Sequence, residues 1–188
     1  MKKFQNKYRI PSARLQNWDY GANGAYFITI CTQNRIHFFG NIVNTFSQNE
    51  MILTDLGKTV EQEWLKTITL RPDMNLELGN FVVMPNHFHA ILIIGQNEFN
   101  SGSKTDTNNH NSITNTANKF GPQSKNLASI IRGFKSAVTI FAKKNGYLDF
   151  GWQPRYHDHI IRNSIEFERI QNYIANNIEN WNKDKFYI

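Results

Sequence analysis

The chain has 188 residues, 40% of them hydrophobic and 13% aromatic, which excludes an intrinsically disordered protein and provides enough apolar area for a real core. One cysteine, Cys31, excludes an internal disulfide framework, and no apolar run reaches the length of a membrane span, so no membrane partner is expected. The net charge of +6 is unevenly placed: residues 1–14 carry Lys2, Lys3, Lys7, Arg9 and Arg14 without an acid, and residues 132–162 carry Arg132, Lys135, Lys143, Lys144, Arg155 and Arg162 against Asp149 and Asp158. Against the plainer reading of a solvated basic surface, this pattern points to a polyanion, with nucleic acid the leading candidate.

The opening "MKKFQNKYRIPSARL" is basic but lacks the hydrophobic centre of a secretory signal, so it reads as mature sequence in a reducing cytoplasm. "AYFITICTQ" alternates and is rich in β-branched and aromatic residues, which predicts a first strand with Cys31 as a small apolar member rather than a nucleophile. "TDLGKTVEQEWLKTI" carries Leu56, Val60, Trp64 and Ile68 at spacings of four, a helical stripe. "NLELGNFVVM" and "HFHAILII" read as two strands turned by Pro85-Asn86. Residues 96–126 are rich in Asn, Ser and Thr and predict a flexible polar insert.

"LASIIRGFKSAVTIFAKKNG" predicts a second amphipathic helix ending at Gly146, and "WQPRYHDHIIRN" contains a fourth strand. "SIEFERIQNYIANNIENW" predicts a third helix, with Asn163 as N-cap and Glu166 as its capping-box partner. The order βαββαβ plus one helix predicts an α+β, ferredoxin-like antiparallel sheet in a single domain over 1–188. In that architecture the first and third strands are central. Phe88, Ala90, Leu92 and Ile94 then face the crossover helices, and His87, His89, Ile91 and Ile93 face the other side, where the extra helix can lie.

Two imidazoles two apart on a strand point the same way and can share one metal ion, but a third protein group must complete the site. At about 100° per residue, Phe167, Ile170, Ile174, Ile178 and Trp181 of the last helix fall in one buried arc. Tyr173 and Asn177 lie beside that arc, one turn apart, which makes Asn177 the candidate third ligand and Tyr173 a candidate nucleophile. Two imidazoles, an amide oxygen and open positions suit Mg²⁺ or Mn²⁺ better than a closed zinc site. The plainer reading is that a lone His-x-His is a packing or surface pair and that Tyr173 is an amphipathic edge residue. A rival pair, His157 and His159, sits on an expected edge strand and could contact phosphate or join a zinc site.

"VVMPNHFHAILII", "FGWQPRYHDHIIRN" and "IQNYIANNIENW", in this order, resemble the REP-associated tyrosine transposases of the HUH single-tyrosine transposase family, and "YFITICTQNRIHFFG" resembles that family's opening strand. The resemblance runs from about residue 8 to 181, excluding the polar insert. It implies His87 and His89 as metal ligands, Asn177 as the third ligand and Tyr173 as the nucleophile; the family commonly places proline after that Asn, where Ile178 stands here. It implies cleavage and rejoining of single-stranded DNA beside REP-like hairpins through a 5′-phosphotyrosine, in a bacterial cytoplasm beside the nucleoid. Related transposases often act as homodimers, sometimes with the tyrosine helix serving the partner's metal site, while REP-associated ones are the alternative of a chain working alone, so both a homodimer and a monomer stay open. Phosphate contacts are expected from Lys2, Lys3, Arg9, Arg14, Arg132, Lys135, Arg155 and Arg162, and base stacking from Tyr8, Trp18 or Tyr156. The alternative function is a non-catalytic nucleic-acid-binding module using the open face of a ferredoxin-like sheet.

Overall fold

The computed structural model describes residue 15, residues 18–101 and residues 124–187. Lys2, Lys3, Tyr8, Arg9 and Arg14, and residues 102–123 of the expected polar insert, lie outside the described residues. The sheet is built from β1 (Gly24–Cys31), β4 (Leu76–Met84), β5 (His87–Ile94) and β6 (His157–Ile161). All neighbours are antiparallel, in the order β4–β5–β1–β6, so β1 and β5 are central and the fold is ferredoxin-like. Among the described residues, no helix is long and apolar enough to cross a membrane.

Two helices cover one face. In α1 (Asp55–Thr69), Thr54 caps the first turn by accepting from the Gly57 amide, and Leu56, Val60 and Trp64 are fully buried. Ile68, the fourth member of the expected stripe, is mostly off the core, and Thr67 is buried in its place. In α2 (Leu127–Lys144), Asn126 and Ser129 form a capping box, and Gly146 follows the last turn at a φ of 85°, where a side chain would be strained. Trp64 of α1 and Phe134 of α2 meet Phe88 of β5 edge-on or tilted, and Ala90, Leu92 and Ile94 join the same core.

The sequence reading did not place β2 (Gly40–Asn44) and β3 (Asn49–Leu53), a hairpin that forms its own two-stranded sheet. Val43 and Ile52 are exposed while Gly40 is buried, so the segment shows no clean apolar alternation. Its function in the fold is to hold the C-terminal segment: the Asn49 amide donates to Glu179 Oε1 at 3.0 Å, and Ile42 packs in a small cluster with Cys31, Met84, Trp181 and Phe186.

The other face of the sheet is covered by α3 (Ser164–Ala175). Ile170 and Ile174 bury Ile91 and Ile161, with Phe27 and Phe167 alongside. A register shift in β4 between Leu78 and Phe81 fixes the position of this helix. There Gln171 Oε1 accepts from the Asn80 amide at 2.7 Å, and a Cβ on Gly79 would lie 2.9 Å from Ile91 Cβ. The bulge therefore clamps α3 two residues before Tyr173.

Two local expectations are corrected. The helix ends at Ala175 rather than running to Trp181, and the chain continues through turns into a 3-10 turn at Trp181–Lys183. Asn163 caps the helix as expected, but Glu166 accepts from the Arg162 amide at 3.0 Å and from His159 Nε2 at 2.8 Å. The strand–helix junction offers those donors within reach, which draws the carboxylate away from the Asn163 amide.

Candidate metal and nucleophile site

His87 and His89 point from β5 toward α3, as the strand period requires, and both are essentially fully buried. Their ring centroids are 4.6 Å apart. The orientation of His87 is set from outside the pair. Asn86 donates both hydrogens of its side-chain amide to backbone carbonyls, Arg35 at 3.1 Å and Phe186 at 2.9 Å. Its Oδ1 therefore faces His87 Nδ1 at 2.9 Å, and Nδ1 must carry the proton. His87 Nε2 is left as a bare lone pair, buried and without a hydrogen-bond partner.

His89 Nδ1 lies 2.9 Å from the Thr29 hydroxyl of β1, and its Nε2 lies 3.2 Å from the Tyr173 hydroxyl of α3. Phe27 stacks on the His89 ring and meets Tyr173 edge-on. Asn177 stands just past the end of α3, buried; its Nδ2 donates to Asp184 Oδ2 at 3.3 Å, while its Oδ1 has no hydrogen-bond partner. The structure thus brings together His87, His89, Tyr173 and Asn177.

It adds a residue that sequence reasoning missed. Asp184 Oδ2 lies 3.4 Å from the Tyr173 hydroxyl, and ligand atoms of His87, His89 and Asp184 all lie within 4.8 Å of one another. No periodicity marks Asp184. It follows a 3-10 turn and is placed by tertiary contacts: the Phe186 amide donates to its Oδ1 at 2.7 Å, Arg35 donates to the Lys185 carbonyl at 2.8 Å, and the Phe186 ring lies tilted against His87, centroids 4.6 Å apart.

Burial pushes His87 down to about 3, with the Asn177 amide beside it offsetting only part of that effect. Burial, and then the neighbouring His87, hold His89 well below the usual imidazole range. Both rings are neutral at physiological pH, the form that ligates metal. The Tyr173 phenol is raised by burial and by the Asp184 charge, so the site keeps it protonated until positive charge arrives. Two neutral imidazoles, one of them with an unpartnered Nε2, the unpartnered Asn177 Oδ1 and a carboxylate form a donor set that a divalent cation fits. Cys31 is buried and its thiol is raised, as a structural cysteine requires.

A cavity of about 520 Å³ opens beside Tyr173, His89, Asn177 and Asp184, and the backbone register gives it a second wall. His157 and His159 pair across from Thr29 and Phe27, so both face this cavity rather than a separate zinc centre. Among the described residues, no third ligand joins them. Arg169, Lys183 and Lys185, which the sequence reading did not select, complete the cationic rim. Of the expected phosphate contacts, Arg132, Arg155 and Arg162 are exposed. Lys135 is partly buried and engaged with the carbonyls of Gln153 and Arg155 at 3.0 Å each. Trp18 is also engaged, donating from Nε1 to the Tyr26 hydroxyl at 3.1 Å.

No family model matches the chain. A protein of Haemophilus influenzae (strain Rd), described as uncharacterized, is 36% identical over 177 residues, covering 94% of this chain and 92% of its own. The chain belongs to the family of that protein. Among solved structures, a REP-associated tyrosine transposase bound to a REP hairpin matches with a TM-score of 0.52 at 18% identity, over 95% of this chain and 76% of that one. At that identity the match shows a shared fold, and the family member from Haemophilus influenzae shares nearly its whole length with the chain that adopts it.

Proposed function

We propose that the chain is a REP-associated tyrosine transposase of the HUH type, an endonuclease and strand transferase that cuts and rejoins single-stranded DNA beside hairpins. The observation that carries this reading is the Tyr173 hydroxyl standing 3.2 Å from Nε2 of a buried, neutral His89 at the wall of an open cavity. A packing tyrosine would not need a paired-imidazole floor with unpartnered lone pairs beside it.

His87, His89, Asn177 and Asp184 would hold Mg²⁺ or Mn²⁺. A bound divalent cation would supply the positive charge that polarises the scissile phosphate and offsets charge on the departing oxygen. Tyr173 is the nucleophile: its O–H proton leaves, with Asp184 Oδ2 the acceptor 3.4 Å away, and its oxygen bonds to phosphorus as the P–O3′ bond breaks. The 3′-oxygen takes a proton and departs as a hydroxyl. Attack of a 3′-hydroxyl on the phosphotyrosine reverses the step, so rejoining needs no nucleotide energy. Asn86 and Thr29 orient the two imidazoles. Arg169, Lys183 and Lys185 line the rim and face the phosphates, with Arg132, Arg155 and Arg162 further out.

Tyr173 meets His89 of its own chain, which supports a reading in which the tyrosine serves its own protomer's site. The alternative of a nucleic-acid-binding module on an open sheet face loses its platform, because α3 lies across that face and Ile91 is fully buried beneath it. The test is a cleavage assay on hairpin oligonucleotides with single-stranded flanks, in Mg²⁺ or Mn²⁺. Wild-type protein is expected to cut one flank, and Tyr173→Phe to bind the same DNA without cutting. Cleavage that survives Tyr173→Phe would remove Tyr173 from the reaction.

A further inference from the structure

The Tyr173 cavity is a trench along the strands, between α3 and the β6 edge, and its two ends differ in chemistry. Thr29 pairs with His89 of β5 on one side and with His157 of β6 on the other, so the three side chains form one row across the sheet, beside the Tyr173 hydroxyl. The next row is Ile91, Phe27 and His159. Arg169 stands at that row on the α3 wall, one helical turn before Tyr173 and on the same face of the helix. The candidate metal ligands lie at the opposite end, toward Asp184. Glu166 forms only a loose ion pair with Arg169, because its carboxylate is held elsewhere. Oε2 accepts from the Arg162 amide at 3.0 Å and Oε1 from His159 Nε2 at 2.8 Å, while Arg169 Nη2 lies 3.9 Å away, beyond hydrogen-bonding distance. The Arg169 side chain is 70% exposed and keeps donors to offer into the trench.

Adjacent rows on one face of a strand are about 7 Å apart, comparable with the step between successive phosphates of an extended single strand. A phosphate at Tyr173 and His89 therefore leaves room for its neighbour between Arg169 and His157, which is exposed on the facing wall. The polarity follows from the two ends. Charge on the departing 3′-oxygen is best offset at the candidate ligand cluster, so the released flank leaves from the Asp184 end. The flank that keeps its phosphate on Tyr173 then continues toward Arg169. We infer that Arg169, with His157 on the opposite wall, binds the first phosphate on the 3′ side of the cut, an inference that rests on the DNA-cleaving reading. Guanidinium–phosphate hydrogen bonds are charge-assisted and often bidentate, and such contacts set the register of the strand rather than read its bases. Arg169 thereby selects which linkage lies against Tyr173.

The probe is a hairpin oligonucleotide with single-stranded flanks in which one linkage at a time is an uncharged methylphosphonate. The cut is mapped on the unmodified oligonucleotide with wild-type protein in Mn²⁺, and binding is read by anisotropy in EDTA. Wild-type protein should lose about tenfold in affinity at the first linkage 3′ to the cut, the size of one charge-assisted contact. Arg169→Gln should bind the unmodified oligonucleotide about tenfold more weakly and lose the effect of that linkage, while its thermal melt stays unchanged. Arg169→Lys, which keeps the charge, should keep the effect, and His157→Gln should reduce it. A scan with no loss at that linkage, a loss confined to the 5′ side of the cut, or full sensitivity in Arg169→Gln would overturn the inference. An effect undiminished in His157→Gln would remove His157 from the site. Covalent adducts scored in parallel separate the two ideas. Adducts on Tyr173 with a flat scan remove only the phosphate site. Absence of adducts removes the cleavage reading, and the assigned polarity with it, even where an Arg169-dependent linkage remains.

Discussion

The Tyr173 hydroxyl stands 3.2 Å from His89 Nε2, although the two residues are 84 positions apart and sit on elements joined by Ile170 and Ile174 packing on Ile91 and by Gln171 holding α3 to the bulge at Asn80. The position of the proposed nucleophile is therefore a consequence of a helix docking onto an irregular strand. Chemistry at this site depends on that packing as much as on the identity of the reacting groups.

Asn86 acts on the site through His87 and is a positioning residue. Removing its amide in Asn86→Ala deprives His87 Nδ1 of its acceptor and the Arg35 and Phe186 carbonyls of their donors. Stability should fall by roughly 1–3 kcal/mol and Mn²⁺ affinity by about 10–100-fold. Calorimetric Mn²⁺ titration alongside thermal melts checks both, and an unaltered affinity would show that the tautomer is set by something else.

Asp184 should matter although it stands outside every sequence motif. Asp184→Ala is expected to weaken Mn²⁺ binding and to lower the phenol pKa of Tyr173, because the carboxylate's charge is among the causes holding it up. An ultraviolet pH titration of wild type, Asp184→Ala and Tyr173→Phe isolates that phenol. A Tyr173 titration that does not move downward in Asp184→Ala would contradict the assigned contact.

The two imidazoles make stability pH-dependent with a definite sign. Folding favours their neutral forms, so below about pH 6.5 the unfolded chain binds more protons than the native one and stability falls as pH falls. The His87 contribution is fully present above about 6.5 and is lost progressively toward about 3, at roughly 1.4 kcal/mol per pH unit. Denaturant unfolding in EDTA should show this decline, and His87→Gln should make it shallower. Equal stability at pH 7 and pH 5 would be inconsistent with neutral buried rings.

Gly57 tests the packing of α1. Alanine is the better helix former by about 1 kcal/mol, yet a Cβ at this position would press into the Phe39 carbonyl oxygen. Overpacking of that kind costs about 1–3 kcal/mol, and here the obstacle is backbone. Gly57→Ala should lower the melting temperature, where propensity alone would have it rise.

Much of the molecule could be read from its residues because the signals were local. Leu56, Val60 and Trp64 repeat at the helical period, and β5 alternates two histidines and two isoleucines against Phe88, Ala90, Leu92 and Ile94, so the sheet order and both faces follow. What escaped depended on tertiary contact. The β2–β3 hairpin has too little apolar contrast between its faces. The end of α3 at Ala175 is set where the chain turns to bring Asn177 and the Trp181–Lys183 segment under the site, although helical periodicity continues through Ile178 and Trp181. Asp184 lies between two lysines, with nothing in sequence to distinguish it from a solvated acid. Lys135 looked like a phosphate contact because charge was visible and its two carbonyl acceptors were not.

The most direct measurement is peptide mass mapping after reaction of the full chain with a hairpin oligonucleotide in Mn²⁺. The account predicts one modified peptide, carrying a nucleotide 5′-phosphate on Tyr173, and no such adduct when Mn²⁺ is replaced by EDTA. A nucleotide adduct on another residue, or cleaved DNA with Tyr173 unmodified and dispensable, would contradict it.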